Sequence, residues 1–172
     1  AGHEVTIYDD LSLSSINNVD KRAKFIEGST LDISLLEKSL SDNINLVIHL
    51  AGYKAAGESM EIPSKYSNNN INGSINLLNA MGKHGINKLI FSSTAAVYGS
   101  PSYLPIDENH SLDPINFYGY TKLVIEDFIK WYGKLEKINY VIFRFFNAAG
   151  YDINGRVKCI EQNPTNLLPI IM

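Results

Sequence analysis

Cysteine is all but missing from this chain, with Cys159 the single one in 172 residues. One thiol closes no disulfide framework and builds no thiolate cluster, so a disulfide scaffold and a cysteine metal centre are both excluded, and no metal site is assigned. Basic blocks are lacking too. Lys and Arg number 15 against 18 Asp and Glu, for a net charge of -3, and no run of like charge gathers a patch for nucleic acid or an acidic membrane. Nor does any apolar run approach the ~20 residues that cross a bilayer, and no signal-peptide pattern opens the chain. A cytoplasmic protein that engages neither nucleic acid nor membrane is the expectation.

What is present is enough apolar residue, 45% of the chain, to bury the core of one domain. Short β-rich runs alternate with longer helix-period stretches, the pattern of a parallel sheet covered by helices. Strands are expected over 5–8, 24–27, 46–50, 88–92 and 140–144, and helices over 32–40, 64–84 and 118–134. Leu46-Val47-Ile48-His49-Leu50 and Leu89-Ile90-Phe91 read as central strands, apolar on both faces. Pro63 suits the first turn of the long helix and Gly85 its C-terminal cap. Between them Asn68, Asn69, Asn70 and Asn72 make poor helix material, either as surface filler or with at least one amide facing a ligand. At the ends, Ala1-Gly2-His3-Glu4-Val5 runs into a strand without an initiator Met, and Leu167-Leu168-Pro169-Ile170-Ile171-Met172 stops in an apolar run. The chain is therefore expected to be cut from something longer.

In an open α/β sheet ligands bind beyond the carboxyl ends of the strands, and the residues capable of chemistry fall there. Asp9 and Asp10 follow the first strand, where a carboxylate can accept both hydroxyls of an adenosine ribose and would repel a 2'-phosphate. A turn aspartate is the plainer reading of Asp9. After the third strand, Ala51-Gly52-Tyr53-Lys54 begins with small residues that let a flat cofactor approach the backbone, with Lys54 at the tip. The fourth strand runs into Ser92-Ser93-Thr94, where the Thr94 hydroxyl can hold a substrate oxygen and relay a proton.

Tyr118 and Lys122 lie four apart on an expected helix, hence on one face. A phenol ionises near pH ~10 and is a poor base unaided. An ammonium at ~4 Å in an effective dielectric of ~20 would favour the phenolate by about 4 kcal/mol, enough to bring it close to working pH. The helix N-terminus acts in the same sense.

Taken in order, Asp9 after the strand 5–8, H-x-A-G-x-K-A-x-G-E-S from His49, N-N-x-N-G from Asn69, F-S-S-T-A-x-V-Y-G from Phe91, Y-G-x-T-K from Tyr118, R-x-F-N from Arg144 and N-P-x-N-L-L-P from Asn163 resemble the extended short-chain dehydrogenase/reductase family. Within it they resemble the nucleotide-sugar 4-epimerases; Ala95 and Ala96 stand where sugar 4,6-dehydratases carry an acid. The resemblance spans almost the whole chain. It implies an α/β, Rossmann-like parallel sheet with helices on both faces, and tightly held NAD. It implies interconversion of UDP-glucose and UDP-galactose, in galactose metabolism, through a 4-keto sugar; a UDP-glucuronate or UDP-N-acetylhexosamine 4-epimerase, or a non-catalytic nucleotide-binding module, are the alternatives.

By matching position, Tyr118 would be the base, Lys122 would activate it and bind the nicotinamide ribose, and Thr94 would hold the sugar 4-oxygen. Asp9, Asp10, Leu50, Ala51, Lys54, Asn69 and Phe145 would join Tyr118 and Lys122 at the cofactor. Asn147, Asn166 and Leu167 would join Thr94 at the UDP-sugar. Residues 1–150 would be a truncated NAD-binding domain and 151–172 the start of the sugar-nucleotide region. Helices 64–84 and 118–134 would pair in a homodimer. Ser29 and Phe145 depart from the aspartate and tyrosine usual in relatives. The G-x-x-G-x-x-G turn, with the first strand and helix, does not occur in this chain, which implies a fragment inactive by itself.

Overall fold

The structure, a computed structural model, describes residues 2–41 and 43–148. Two units divide the chain, one formed by residues 1–29 and 147–172, the other by residues 30–146.

In the first unit, β1 (Thr6–Asp9) and β2 (Lys24–Glu27) pair in parallel, Thr6 opposite Lys24 and Asp9 opposite Glu27. The crossover between them contains one short 3-10 turn, Ile16–Asn18, capped by the Ser15 side chain. Beyond the strands, the Tyr8 hydroxyl donates to the Ser29 carbonyl at 2.8 Å.

The second unit is built on a three-stranded parallel sheet in which β4 (Lys88–Thr94) lies between β3 (Val47–His49) and β5 (Asn139–Phe145). The register aligns His49, Phe91 and Ile142 in one row and Ile48, Ile90 and Val141 in the next. Successive rows face opposite sides of a sheet. Leu89, Phe91 and Ser93 are buried, and α5 (Phe117–Leu135) packs on β4 and β5. On the other face Ile48, Val141, Phe143 and Phe145 remain about half exposed. The strands are thus apolar on both faces as expected, while the described helices of this unit bury one of them. Among the described residues all ladders are parallel and the α/β, Rossmann-like class holds, but their five strands form a two-stranded and a three-stranded sheet.

Helix α1 (Ile33–Leu40) starts where the Asp32 carboxylate accepts the Leu35 N–H at 3.0 Å, and it packs Leu36 and Leu40 towards α4 (Gly73–Lys83). The expected 64–84 helix is interrupted: α3 (Pro63–Tyr66) passes into a π-helical segment, Ser67–Asn72, before α4 resumes regular turns. The asparagines explain the break, since each weakens a helix interior and offers an amide to other partners. Pro63 does open α3, and Gly85 follows α4 at φ +67°, a backbone suited to glycine. Helix α2 (Ala56–Glu61), expected as loop, is held from outside: Glu58 accepts from Lys65 and from the Tyr66 hydroxyl, both at 2.8 Å. Among the described residues no helix is long and apolar enough to cross a membrane.

Candidate active site

Helix α5 carries the site and is anchored at its first turn. Three of the amides left unpaired at a helix start find side chains here. Phe117 N–H meets Met60 Sδ at 3.2 Å, Tyr118 N–H donates to Ser59 Oγ at 2.9 Å, and Gly119 N–H donates to Asn116 Oδ1 at 2.8 Å. Ser59 has no exposed surface, so α2 supplies a buried cap to the residue carrying the phenol. Gly119 brings the helix against the 3-10 turn Ala95–Tyr98: a Cβ on it would stand 2.7 Å from the Ala96 carbonyl oxygen.

That approach joins the two expected hydroxyls. Thr94 ends β4 and accepts the Ala96 N–H at 3.2 Å, and its hydroxyl lies close enough to the Tyr118 phenol to act on its ionisation. Burial raises the phenol above its ordinary value, and the Thr94 hydroxyl opposes the rise. Here the expectation for Lys122 is corrected. Its ammonium donates to the Ser92 carbonyl at 2.9 Å and sits 4.8 Å from the centre of the Phe91 ring, and the phenol stays raised. The i, i+4 spacing put both residues on one face, but the carbonyl at the end of β4 drew the lysine down into the sheet. Burial lowers Lys122 to about 8, so it carries its charge at neutral pH.

Beneath the site His49 is buried and neutral, pushed down to about 3 by burial first and by the Lys122 charge second. Ser74 Oγ donates to the Asn70 carbonyl at 2.6 Å, so His49 Nε2, 2.8 Å from that hydroxyl, must be the donor to it. Asn70 is the residue that sequence reasoning passed over in favour of its neighbour. Its amide accepts the Tyr53 N–H at 2.8 Å, returns a bond to the Tyr53 carbonyl at 2.9 Å, and reaches Thr121 Oγ1 at 3.4 Å. Asn69 donates to Asn70 Oδ1 at 3.2 Å. The crowding of asparagines was the available signal.

Leu50, Ala51 and Lys54 lie exposed along the chain that leaves β3, and Phe145 ends β5 beside Thr94 in the register. In the other unit Asp9 Oδ1 accepts the Leu11 N–H at 2.8 Å and the Ser14 hydroxyl at 2.9 Å, the turn role, and Asp10 Oδ1 accepts the Ser12 N–H at 2.9 Å. Asn147 is exposed. Asn166 and Leu167 lie outside the described residues. A further group, Glu126 with Arg144, Ser93 and Tyr98, was also missed, because a helical glutamate and a strand arginine 18 residues apart carry no spacing signature.

Residues 1–169 match the family model described as the NAD dependent epimerase/dehydratase family. The chain belongs to that family. It is 40% identical over 172 residues to the UDP-glucose 4-epimerase of Lactobacillus helveticus, a match covering 99% of this chain and 52% of that protein. Among solved structures, it resembles the UDP-glucose 4-epimerase of Brucella ovis in complex with NAD, with TM-score 0.94 and 38% identity over 98% of this chain and 52% of that one. The Bifidobacterium longum enzyme in complex with NAD+ and UDP gives TM-score 0.94 and 34% identity over 99% and 54%. The chain spans about half the length of the curated relatives it matches.

Proposed function

We propose that the whole protein is an NAD-dependent UDP-sugar 4-epimerase that interconverts UDP-glucose and UDP-galactose in galactose metabolism. The observation that carries this is the close approach of the α5 first turn, with Tyr118, to the turn that Thr94 caps, with Lys122 buried on the Ser92 carbonyl at the end of β4, in a chain that matches the family almost throughout. The residues present suit the nicotinamide end of the cofactor. Lys122 and Tyr118 offer donors for a ribose, and Gly52, at φ +144° with Asn70 Oδ1 3.1 Å from where its Cβ would stand, keeps the neighbouring backbone open. Leu50, Ala51, Lys54, Asn69 and Phe145 complete that end, and Asp9 and Asp10 are assigned to the adenosine ribose. Bound NAD supplies the hydride acceptor and then the donor, together with a positive ring charge.

Tyr118 takes the proton of the sugar 4-hydroxyl, and Thr94 orients that oxygen. The 4-keto sugar then turns in the pocket, and Tyr118 returns the proton once the other face is reduced. Asn147, Asn166 and Leu167 are assigned to the UDP-sugar. Residues 1–150 belong to the NAD-binding domain and 151–172 open the sugar-nucleotide region. Exposed Trp131 and Leu135, four apart on α5, support a homodimer through helices 64–84 and 118–134. The protein is assigned to the cytoplasm.

The test uses the purified whole protein with UDP-glucose, UDP-galactose, UDP-N-acetylglucosamine and UDP-glucuronate, measuring epimerisation and bound NAD. UDP-glucose turnover is expected, with a loss of at least about 10²-fold in Tyr118→Phe. Retained activity in that variant, or no turnover of any of the four, would overturn the reading. Residues 1–172 expressed alone, without the glycine-rich phosphate turn, should hold no NAD and turn nothing over; stoichiometric NAD in that sample refutes this.

A further inference from the structure

Glu126 is the only buried carboxylate among the described residues, and it has no exposed surface at all. It stands on α5 one turn beyond Lys122 and two beyond Tyr118, so the three share a helix face. Arg144 of β5 grips it with two parallel bonds, Nε to Oε1 at 3.0 Å and Nη2 to Oε2 at 2.7 Å. The Ser93 hydroxyl donates to Oε1 at 2.6 Å, and Lys130 Nζ stands 3.9 Å from Oε2. Arg144 Nη1 also donates to the Tyr98 hydroxyl at 3.1 Å. Ser93 immediately precedes Thr94, and Tyr98 closes the 3-10 turn that Thr94 caps. The network therefore ties α5 to the residues on either side of Thr94.

A well-packed apolar pair would hold α5 on the sheet without desolvating two charges, so stability alone is a poor reason for this arrangement. We propose that the Glu126–Arg144 pair is a positioning element for Tyr118 and Lys122: it fixes α5 against the end of β4 and cancels a carboxylate that would otherwise act on the reacting groups. The proposal rests on the epimerase reading above. The charged groups against Glu126 are Arg144 and Lys130, Tyr98 meets the Arg144 guanidinium, and the titratable group that feels the Lys122 charge is His49. Among the described residues Arg144 is the sole cation bonded to both carboxylate oxygens, so its removal exposes the charge that Lys130, at 3.9 Å, leaves unbalanced.

The sign of the effect separates this role from simple support. A phenolate base is favoured by nearby positive charge and disfavoured by negative charge. Removing the carboxylate leaves Arg144 unopposed and draws the acid limb of kcat/KM to lower pH. Removing the guanidinium leaves Glu126 unopposed and drives that limb to higher pH. Eight residues along a helix span ~12 Å, at which one charge in an effective dielectric of ~20–40 moves a pKa by about half to one unit. That corresponds to about three- to tenfold in kcat/KM at a fixed pH on the limb.

The whole protein with NAD and UDP-glucose is assayed between pH 5 and 10 as wild type, Glu126→Gln, Arg144→Gln and Arg144→Lys, each checked by thermal unfolding. Opposite shifts in the two glutamine variants, with the limb restored by Arg144→Lys, are expected. Coincident limbs, or shifts of the same sign, overturn the proposal. Failure of all three variants to fold does so too, since the pair would then be a fold determinant. A wild type that turns over no UDP-sugar defeats the epimerase reading itself, whereas an active wild type with unmoved variants defeats only this inference.

Discussion

Replacing Gly119 with alanine sets helix propensity against close packing, and the structure says which wins where. Alanine gains about 1 kcal/mol over glycine in a helix interior. Against that, the new Cβ would meet the Ala96 carbonyl oxygen at 2.7 Å, the carbonyl carbon at 3.1 Å and the Ala96 Cβ at 3.2 Å. Carbon and carbonyl oxygen ordinarily approach to ~3.3 Å, so α5 must retreat by roughly 0.6 Å. The obstacle is backbone and cannot swing aside. Overpacking of this kind costs about 1–3 kcal/mol, leaving a net loss of at most ~2 kcal/mol and a fall of a few degrees in Tm. Function should suffer more, because the same retreat carries the Tyr118 phenol away from Thr94 at the end of β4. A 1 Å misplacement can cost about 10²-fold, so roughly tenfold in kcat is expected, with KM little changed. The assay is steady-state epimerisation by the whole protein alongside calorimetry. Gly82→Ala is the control, its nearest obstacle being the tip of Glu136 at 3.9 Å, and it should be neutral or stabilising. Wild-type kcat in Gly119→Ala, or stabilisation equal to the control's, would refute the reasoning.

Ser59→Ala removes the acceptor of the Tyr118 N–H and leaves a buried helix-start amide unpaired, so unfolding free energy should fall by about 1–3 kcal/mol; an unchanged chemical-denaturation midpoint would count against the cap. Asn70→Ala strands both polar groups of Tyr53 and should cost more than Asn69→Ala, whose single bond is to Asn70 itself; equal losses would mean that the clamp is not where the stability lies. His49 binds a proton near 6.5 when unfolded and near 3 when folded. The unfolded state therefore holds the extra proton across that window, and stability rises with pH from about 3 to 6.5. His49→Gln should flatten that slope by about 1.4 kcal/mol per pH unit, and an identical slope in the variant would defeat the assignment.

The strands, the three longest helical stretches and the placing of Thr94, Tyr118 and Lys122 near the end of β4 were legible because they rest on local regularities: period, strand ends, a four-residue step. What escaped depended on partners distant in sequence. Helix α2 has no amphipathic period of its own and exists through Lys65, Tyr66 and the α5 amides. The Lys122 ammonium was sought by the phenol and found on the Ser92 carbonyl, a competitor that spacing along one helix does not reveal. Glu126 reads in sequence as one more surface charge, and only Arg144, delivered by β5, makes its burial possible.

The wide π turn makes Asn70 a single joint between two elements. Its amide is spent on the backbone that leaves β3 and on Thr121, whose own hydroxyl donates to the Tyr118 carbonyl at 2.7 Å. The chain after β3 and the base on α5 are thereby geared through one side chain, with no slack amide hydrogen to absorb a change. Any shift of Tyr53 when a ligand settles must either break a bond to Asn70 or be felt one helical turn away at Tyr118. The register of the asparagine run is then a functional dimension: deleting one residue would restore an α turn, rotate Asn70 by about 100°, and uncouple the two.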